Sequence, residues 1–223
     1  MAHTRFAIYY VPPEGPLADF GAAWLGWDVI QGRIAESFDL PGLPGVTREP
    51  GKYGFHATLK PPFFLAEGQS PEALVQATSA LAARLPPARC DGLDLTTLGR
   101  FLALTLRGDP HGINQIAADC VKELDSFRAA PSAEELARRR TPHLTVRQEA
   151  MLVQWGYPHV LEEFRFHMTL TGRMPRADIA RWSERVTQLL PDLHRPFAVD
   201  QIALCGERED RRFELIERYP LAG

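Results

Sequence analysis

The order Phe-His-x-Thr-Leu occurs twice in this chain, as Phe55-His-Ala-Thr-Leu59 and as Phe166-His-Met-Thr-Leu170. An imidazole gives or takes a proton near neutral pH, and a hydroxyl two residues further on can donate a hydrogen bond to an oxyanion. A face that carries such a pair suits binding an oxyanion and transferring protons to or from it. If both segments are β-strands, their side chains alternate between faces. His56, Thr58 and Lys60 then share one face, and Phe55, Ala57 and Leu59 the other. The second copy sorts the same way, with His167, Thr169, Thr171 and Arg173 opposite Phe166, Met168, Leu170 and Gly172.

A single His-x-Thr is weak evidence, and the chain carries its own control. Thr141-Pro-His-Leu-Thr-Val146 contains the tripeptide but lacks the preceding Phe and follows Arg138-Arg139-Arg140. Thr141 can cap a helix and Pro142 fits its first turn, so this stretch reads as a helix entrance and His143 is expected outside the site. His3, His111, His159 and His194 fall in termini or loops without paired acids, and read as surface residues. A zinc site needs three or four converging ligands, and no His-x-His or His-Glu-x-x-His cluster occurs, so no metal and no cofactor is expected. Lys60 and Arg173 can stabilise developing charge or hold a second phosphate. Tyr53 is a weaker binding candidate, because alternation would turn it to the other face if the strand extends that far.

The chain has 223 residues, 45% of them hydrophobic, and a net charge of −3. Its pI is near 6.2, which gives no basic field for long duplex nucleic acid. Short anionic substrates fit, and RNA ends stay open as partners. Cys90, Cys120 and Cys205 are odd in number and widely spaced, which argues against a disulfide framework and fits a reducing cytoplasm. No stretch is long and apolar enough for a membrane span, and the apolar start Phe6–Val11 is too short for a signal-peptide core.

The elements that must position the motifs follow from periodicity and turn signals. Arg5–Val11 reads as a strand, Pro16 to about Gly32 as a helix, and 39–51 as a long Pro/Gly-rich loop leading into the His56 strand. Ser70-Pro71-Glu72 opens a helix to about Leu85, and Leu93–Arg107 reads as two strands turning near Gly99-Arg100. A helix from Asp109-Pro110, a polar segment through Arg140 and a helix over 144–160 follow. The His167 strand (around 164–173), a helix over 176–190 and a closing strand pair, 197–205 and 212–219, complete the chain. Each half reads strand, helix, strands. With no linker, residues 1–223 are expected to form a single bilobal α+β domain, its two lobes similar in build, with sheets facing across a central groove.

Two His-x-Thr strands in this element order, covering nearly the whole chain, resemble the two-histidine phosphoesterase superfamily of RNA 2′,3′-cyclic phosphodiesterases and RNA ligases. The longer strings Tyr53–Phe63, Trp155-Gly-Tyr-Pro158 and Phe164–Thr171 are similar to a bacterial branch of phosphonate metabolism proteins. The resemblance implies a pseudo-two-fold bilobal fold with antiparallel sheets, no metal, catalysis by His56 and His167, and phosphate oxygens held by Thr58 and Thr169. The expected activity is hydrolysis of a cyclic phosphodiester on a small or terminal ribose phosphate. An RNA-end 2′–5′ ligase or phosphodiesterase, which would need a basic and aromatic track, is one alternative. A non-catalytic phosphometabolite-binding module is another, although binding alone needs no pair of proton-transfer groups.

Overall fold

The two Phe-His-x-Thr-Leu strings lie side by side, on the strands that join the halves of one antiparallel sheet. The computed structural model describes residues 3–140, 144–193 and 195–223, except for the side chain of Arg138. The expected helix entrance at Thr141-Pro142, His143 and His194 fall outside those residues. In chain order the elements are β1 (Phe6–Tyr10), α1 (Pro16–Leu25), β2 (Trp27–Asp28), β3 (Arg33–Ile34), α2 (Leu43–Thr47), β4 (Ala57–Phe63), α3 (Pro71–Ala82), β5 (Ala88–Cys90), β6 (Gly92–Leu98), β7 (Phe101–Arg107), α4 (His111–Glu123), α5 (Ala133–Arg139), α6 (Val146–Trp155), β8 (His167–Thr169), α7 (Arg176–Leu189), β9 (Phe197–Val199), β10 (Gln201–Glu207) and β11 (Phe213–Pro220).

Among the described residues the main sheet has seven strands in the order β11-β10-β1-β4-β8-β7-β6, and its neighbouring pairs are antiparallel. The chain is thus α+β, with antiparallel sheets. Its halves, β11-β10-β1-β4 and β8-β7-β6, meet where Ala57 lies opposite Met168. Neither half is a contiguous stretch of sequence. The hairpin β10–β11 completes the sheet begun by β1 and β4, while β6 and β7 extend the sheet of β8. This exchange gives a physical reason why no linker is visible in the sequence.

Phe55, Ala57, Leu59, Phe166, Met168 and Leu170 all enter the main core, as strand alternation predicts. Helix α3 lies against β10 and β11, α4 against β4, and α7 against β6 and β7. Each large apolar side chain buried this way is worth about 1.5–3 kcal/mol, and a one-residue slip would turn the whole set outward, so burial fixes the register. The indole N–H of Trp24 in α1 donates to the Leu170 carbonyl at 2.9 Å and ties down the end of β8. On the opposite face a smaller cluster gathers Tyr9, Val11, Trp27, Val29, Cys205 and Phe213. Strand β1 is therefore buried on both faces.

Several boundaries differ from the sequence reading. Helix α1 stops at Leu25 because Gly26 turns left-handed (φ 69°) and its N–H caps Ala22. Trp27 and Ile30 thus leave the helical stripe, and Trp27 joins the smaller cluster. The loop over 39–51 contains α2 and a 3₁₀ turn at Pro50–Lys52, and the polar segment before Arg140 contains α5. Helix α6 is shorter than 144–160. A capping box of Thr145 and Gln148 opens it, and left-handed Gly156 (φ 73°) closes it. Ser70 caps α3 as predicted, accepting from the Ala73 N–H at 3.1 Å.

Candidate active site

Because Ala57 and Met168 are partners pointing into the core, the antiparallel register sets His56 level with Thr169 and Thr58 level with His167. All four side chains point to the other face. Residues two apart on a strand are separated by roughly 7 Å, and neighbours across by about 5 Å, so the histidines occupy one diagonal of a quadrilateral and the threonines the other. A groove of about 980 Å³ opens over this face, lined by His56, Thr58, His167 and Thr169 together.

Both imidazoles are anchored alike. Nδ1 of His56 lies 2.9 Å from the Gly54 carbonyl, and Nδ1 of His167 lies 2.8 Å from the Arg165 carbonyl, in each case two residues upstream. A carbonyl only accepts, so each Nδ1 carries the hydrogen, and Nε2 is the atom that gains or loses a proton. For His56 that atom meets the Thr58 hydroxyl at 3.1 Å, so the hydroxyl donates to Nε2.

Gly54 makes the first anchor by way of a left-handed backbone, φ 73°, and a Cβ there would stand 2.5 Å from Cβ of Val29. We expect Gly54→Ala to lower stability by about 1–3 kcal/mol and to reduce turnover by displacing the carbonyl that orients His56. Arg165→Ala, where only the backbone is used, should leave both unchanged; thermal melts and kcat of the two variants check this.

His56 sits in the more enclosed surroundings. Its ring stacks on Tyr9 with centroids 3.8 Å apart and planes 26° apart, and Tyr53 flanks it at 6.3 Å. Burial pulls its proton affinity down to about 4, partly offset by the Gly54 carbonyl, and His167 lowers it further through space. His167 lies 6.0 Å from Phe101.

The other residues singled out from the sequence divide. Arg173, exposed, and Tyr53, half-buried and stacked on Phe213 at 5.4 Å, line the groove. Tyr53 follows the 3₁₀ turn rather than belonging to the strand, so alternation does not turn it away. Thr171 touches the groove as well, but its hydroxyl is engaged by the Leu102 N–H at 2.9 Å.

Lys60 is a correction. Opposite β1, Thr58 pairs with Tyr9 but Lys60 with Ile8, so one extra residue on β4 forms a bulge and alternation ends there. The Lys60 side chain, 2% exposed, turns to the core side and donates to the Val121 carbonyl at 3.0 Å and to Asp125 at 3.5 Å. Burial pulls its proton affinity down to about 8, with Asp125 opposing. Lys60→Ala is expected to cost about 2–3 kcal/mol of stability and to leave KM unchanged, as a denaturation curve beside steady-state kinetics would show.

Sequence reasoning missed several groove residues. Tyr9 reads as one more apolar position in Phe6-Ala-Ile-Tyr-Tyr10, and the hairpin tip carrying Arg208 and Arg211 reads only as a charged turn. Among the described residues, five arginines (Arg5, Arg139, Arg173, Arg208 and Arg211) line the groove against three glutamates (Glu49, Glu207 and Glu209), although the whole chain is net −3. Arg5 is held bidentate by Glu207 at 2.7 and 2.6 Å, and Arg208 by Glu214 at 3.1 Å. Arg173 and Arg211 are exposed. His3 is not a surface residue, because its ring meets Glu214 at 3.0 Å in a partly buried contact, while His111 and His159 are exposed. Among the described residues, no three or more His, Cys, Asp or Glu side chains converge as a metal site, and no helix is long and apolar enough to cross a membrane.

Over residues 58–214 the chain matches a family described as protein of unknown function (DUF1045). It is 39% identical over 181 residues to ribose 1,5-bisphosphate phosphokinase PhnN of Janthinobacterium sp. (strain Marseille), a match covering 78% of this chain and 40% of that protein. It is 36% identical over 212 residues to the protein of the same name from Laribacter hongkongensis (strain HLHK9), covering 92% and 48%. The chain therefore spans less than half the length of these curated relatives. Among solved structures, E. coli LigT complexed with 3′-AMP is 18% identical with both chains covered in full and a TM-score of 0.46. TT0787 of Thermus thermophilus is 17% identical over 98% of both chains, also with a TM-score of 0.46.

Proposed function

The chain belongs to the DUF1045 family, and on that footing we propose that it is a metal-independent phosphoesterase that hydrolyses a cyclic phosphodiester of a small or terminal ribose phosphate. The observation that carries this reading is the matched anchoring of two imidazoles on adjacent antiparallel strands, each tied at Nδ1 to the carbonyl two residues upstream. Ring opening needs a proton removed from water and a proton delivered to the departing sugar oxygen, on opposite sides of phosphorus. In this scheme Nε2 of His56, kept neutral by burial, takes the proton from water as its oxygen bonds to phosphorus. The bond from phosphorus to one ribose oxygen breaks, and Nε2–H of His167 gives its proton to that oxygen. The product is a phosphomonoester, and exchange with solvent resets both rings. On binding, the Thr58 hydroxyl turns its hydrogen from Nε2 of His56 to a non-bridging oxygen, which frees Nε2 for the water; Thr169 donates to another, and the groove arginines balance the substrate's charge.

A ribose phosphate is supported by the curated relatives, which are named for a kinase acting on ribose 1,5-bisphosphate. This chain contains no Gly-x-x-x-x-Gly-Lys-Ser/Thr phosphate loop, so the kinase of those longer proteins is assigned to the part that this chain does not span. The portion matched here would then act on a related sugar phosphate. Turnover of a panel of ribose, nucleoside and RNA-terminal cyclic phosphates with chelator present tests the proposal. Hydrolysis of small ribose cyclic phosphates is expected to persist, and loss on chelation with recovery on adding zinc would overturn the reading. Thr58→Val and Thr169→Val should each reduce kcat/KM by about 1–3 kcal/mol of transition-state stabilisation, the size of one hydrogen bond to a charged group.

A further inference from the structure

We infer that Tyr9 is a positioning residue for His56, its ring fixing the plane of the imidazole and shutting water from one face of it. The inference rests on the proposed role of His56 as proton acceptor. Tyr9 stands directly opposite Thr58 across the β1–β4 pair, on the same face of the sheet. From there its ring reaches diagonally to cover His56, with centroids 3.8 Å apart and planes inclined by 26°. Tyr9 cannot tilt away easily, since it is fully buried and packed 5.8 Å from Phe213 within the smaller apolar cluster.

Nδ1 on the Gly54 carbonyl and Nε2 beside the Thr58 hydroxyl hold the two ends of the imidazole but leave its plane free to tilt about the line joining them. A flat surface against its face removes the tilt, so that Nε2 keeps its aim into the groove. The titratable and charged groups around the ring are Tyr53 on the segment before β4, His167 on β8 and, beyond Tyr9, the Arg5–Glu207 ion pair and Cys205. Among the described residues the Tyr9 hydroxyl is buried without a hydrogen-bond partner.

The test separates ring from hydroxyl, and positioning from catalysis in general. Tyr9→Phe should melt at or above the wild-type temperature, with kcat and the His56 titration unchanged. Tyr9→Ala should admit water, raise the His56 midpoint seen by NMR toward the free-imidazole value, and lower kcat at least tenfold with KM within twofold. Where the alanine variant does not fold, Tyr9→Leu fills the volume without a flat face and should still lower kcat several-fold at constant KM. Because the NMR midpoint requires no substrate, it reports on Tyr9 even if the chain has another activity. A His56 midpoint and kcat unmoved by Tyr9→Ala, a Tyr9→Leu variant with wild-type kcat, or loss of activity in Tyr9→Phe would each overturn the inference.

Discussion

Replacing His56 or His167 by alanine is expected to remove most of the turnover of a ribose cyclic phosphate, by roughly 10²- to 10⁴-fold for either change. The double variant should be little worse than the single ones, because an acid and a base that act in one proton relay fail together. All three variants should fold, since each imidazole lies on the groove face while Phe55, Ala57, Phe166 and Met168 carry the core contacts of the same strands. Circular dichroism and kcat on the same samples separate chemistry from folding. Near-full activity in the double variant would remove the histidines from the mechanism.

The second large effect is on pH dependence. With His56 held at about 4 by burial, the acid limb of kcat/KM should lie near pH 4, far below that of an exposed imidazole, with the rate falling tenfold per pH unit beneath it. His167 serves as the acid and must carry its proton for turnover. Stability moves in the same direction on the acid side. Between about pH 6.5 and pH 4 the unfolded chain binds a proton at His56 that the folded chain refuses, so lowering the pH through this window favours unfolding. The loss should reach about 3 kcal/mol by pH 4, at about 1.4 kcal/mol for each tenfold change in proton affinity. His56→Gln should flatten that slope, and urea denaturation at several pH values would show it.

What the sequence made legible depended on whether a residue obeyed a local rule. The alternation of Phe-His-x-Thr-Leu placed four side chains on one face because Phe55, Leu59, Phe166 and Leu170 have no better place than the core. Lys60 escaped the same rule because a bulge one residue after Thr58 resets the faces, and only the partner strand's register reveals it. Tyr53 lies outside the rule for a related reason, since the strand starts at Ala57 and the chain before it is a turn. The exchange of β10–β11 and β6–β7 between the sheet halves was hidden because strand partners are non-local. Tyr9 and the arginines of the β10–β11 tip carried no pattern of their own. They line the groove only because the fold brings β1, β10 and β11 beside His56.

Whether His56, Thr58, His167 and Thr169 enclose a single phosphate is tested most directly by a crystal structure grown with inorganic phosphate or vanadate. The anion is expected between the two imidazoles, with both Nε2 atoms and both threonine hydroxyls at about 3 Å from its oxygens. An anion bound at Arg173 or Arg211 with the space between the histidines left to solvent, or imidazoles too far apart to reach one phosphate, would contradict the proposed chemistry.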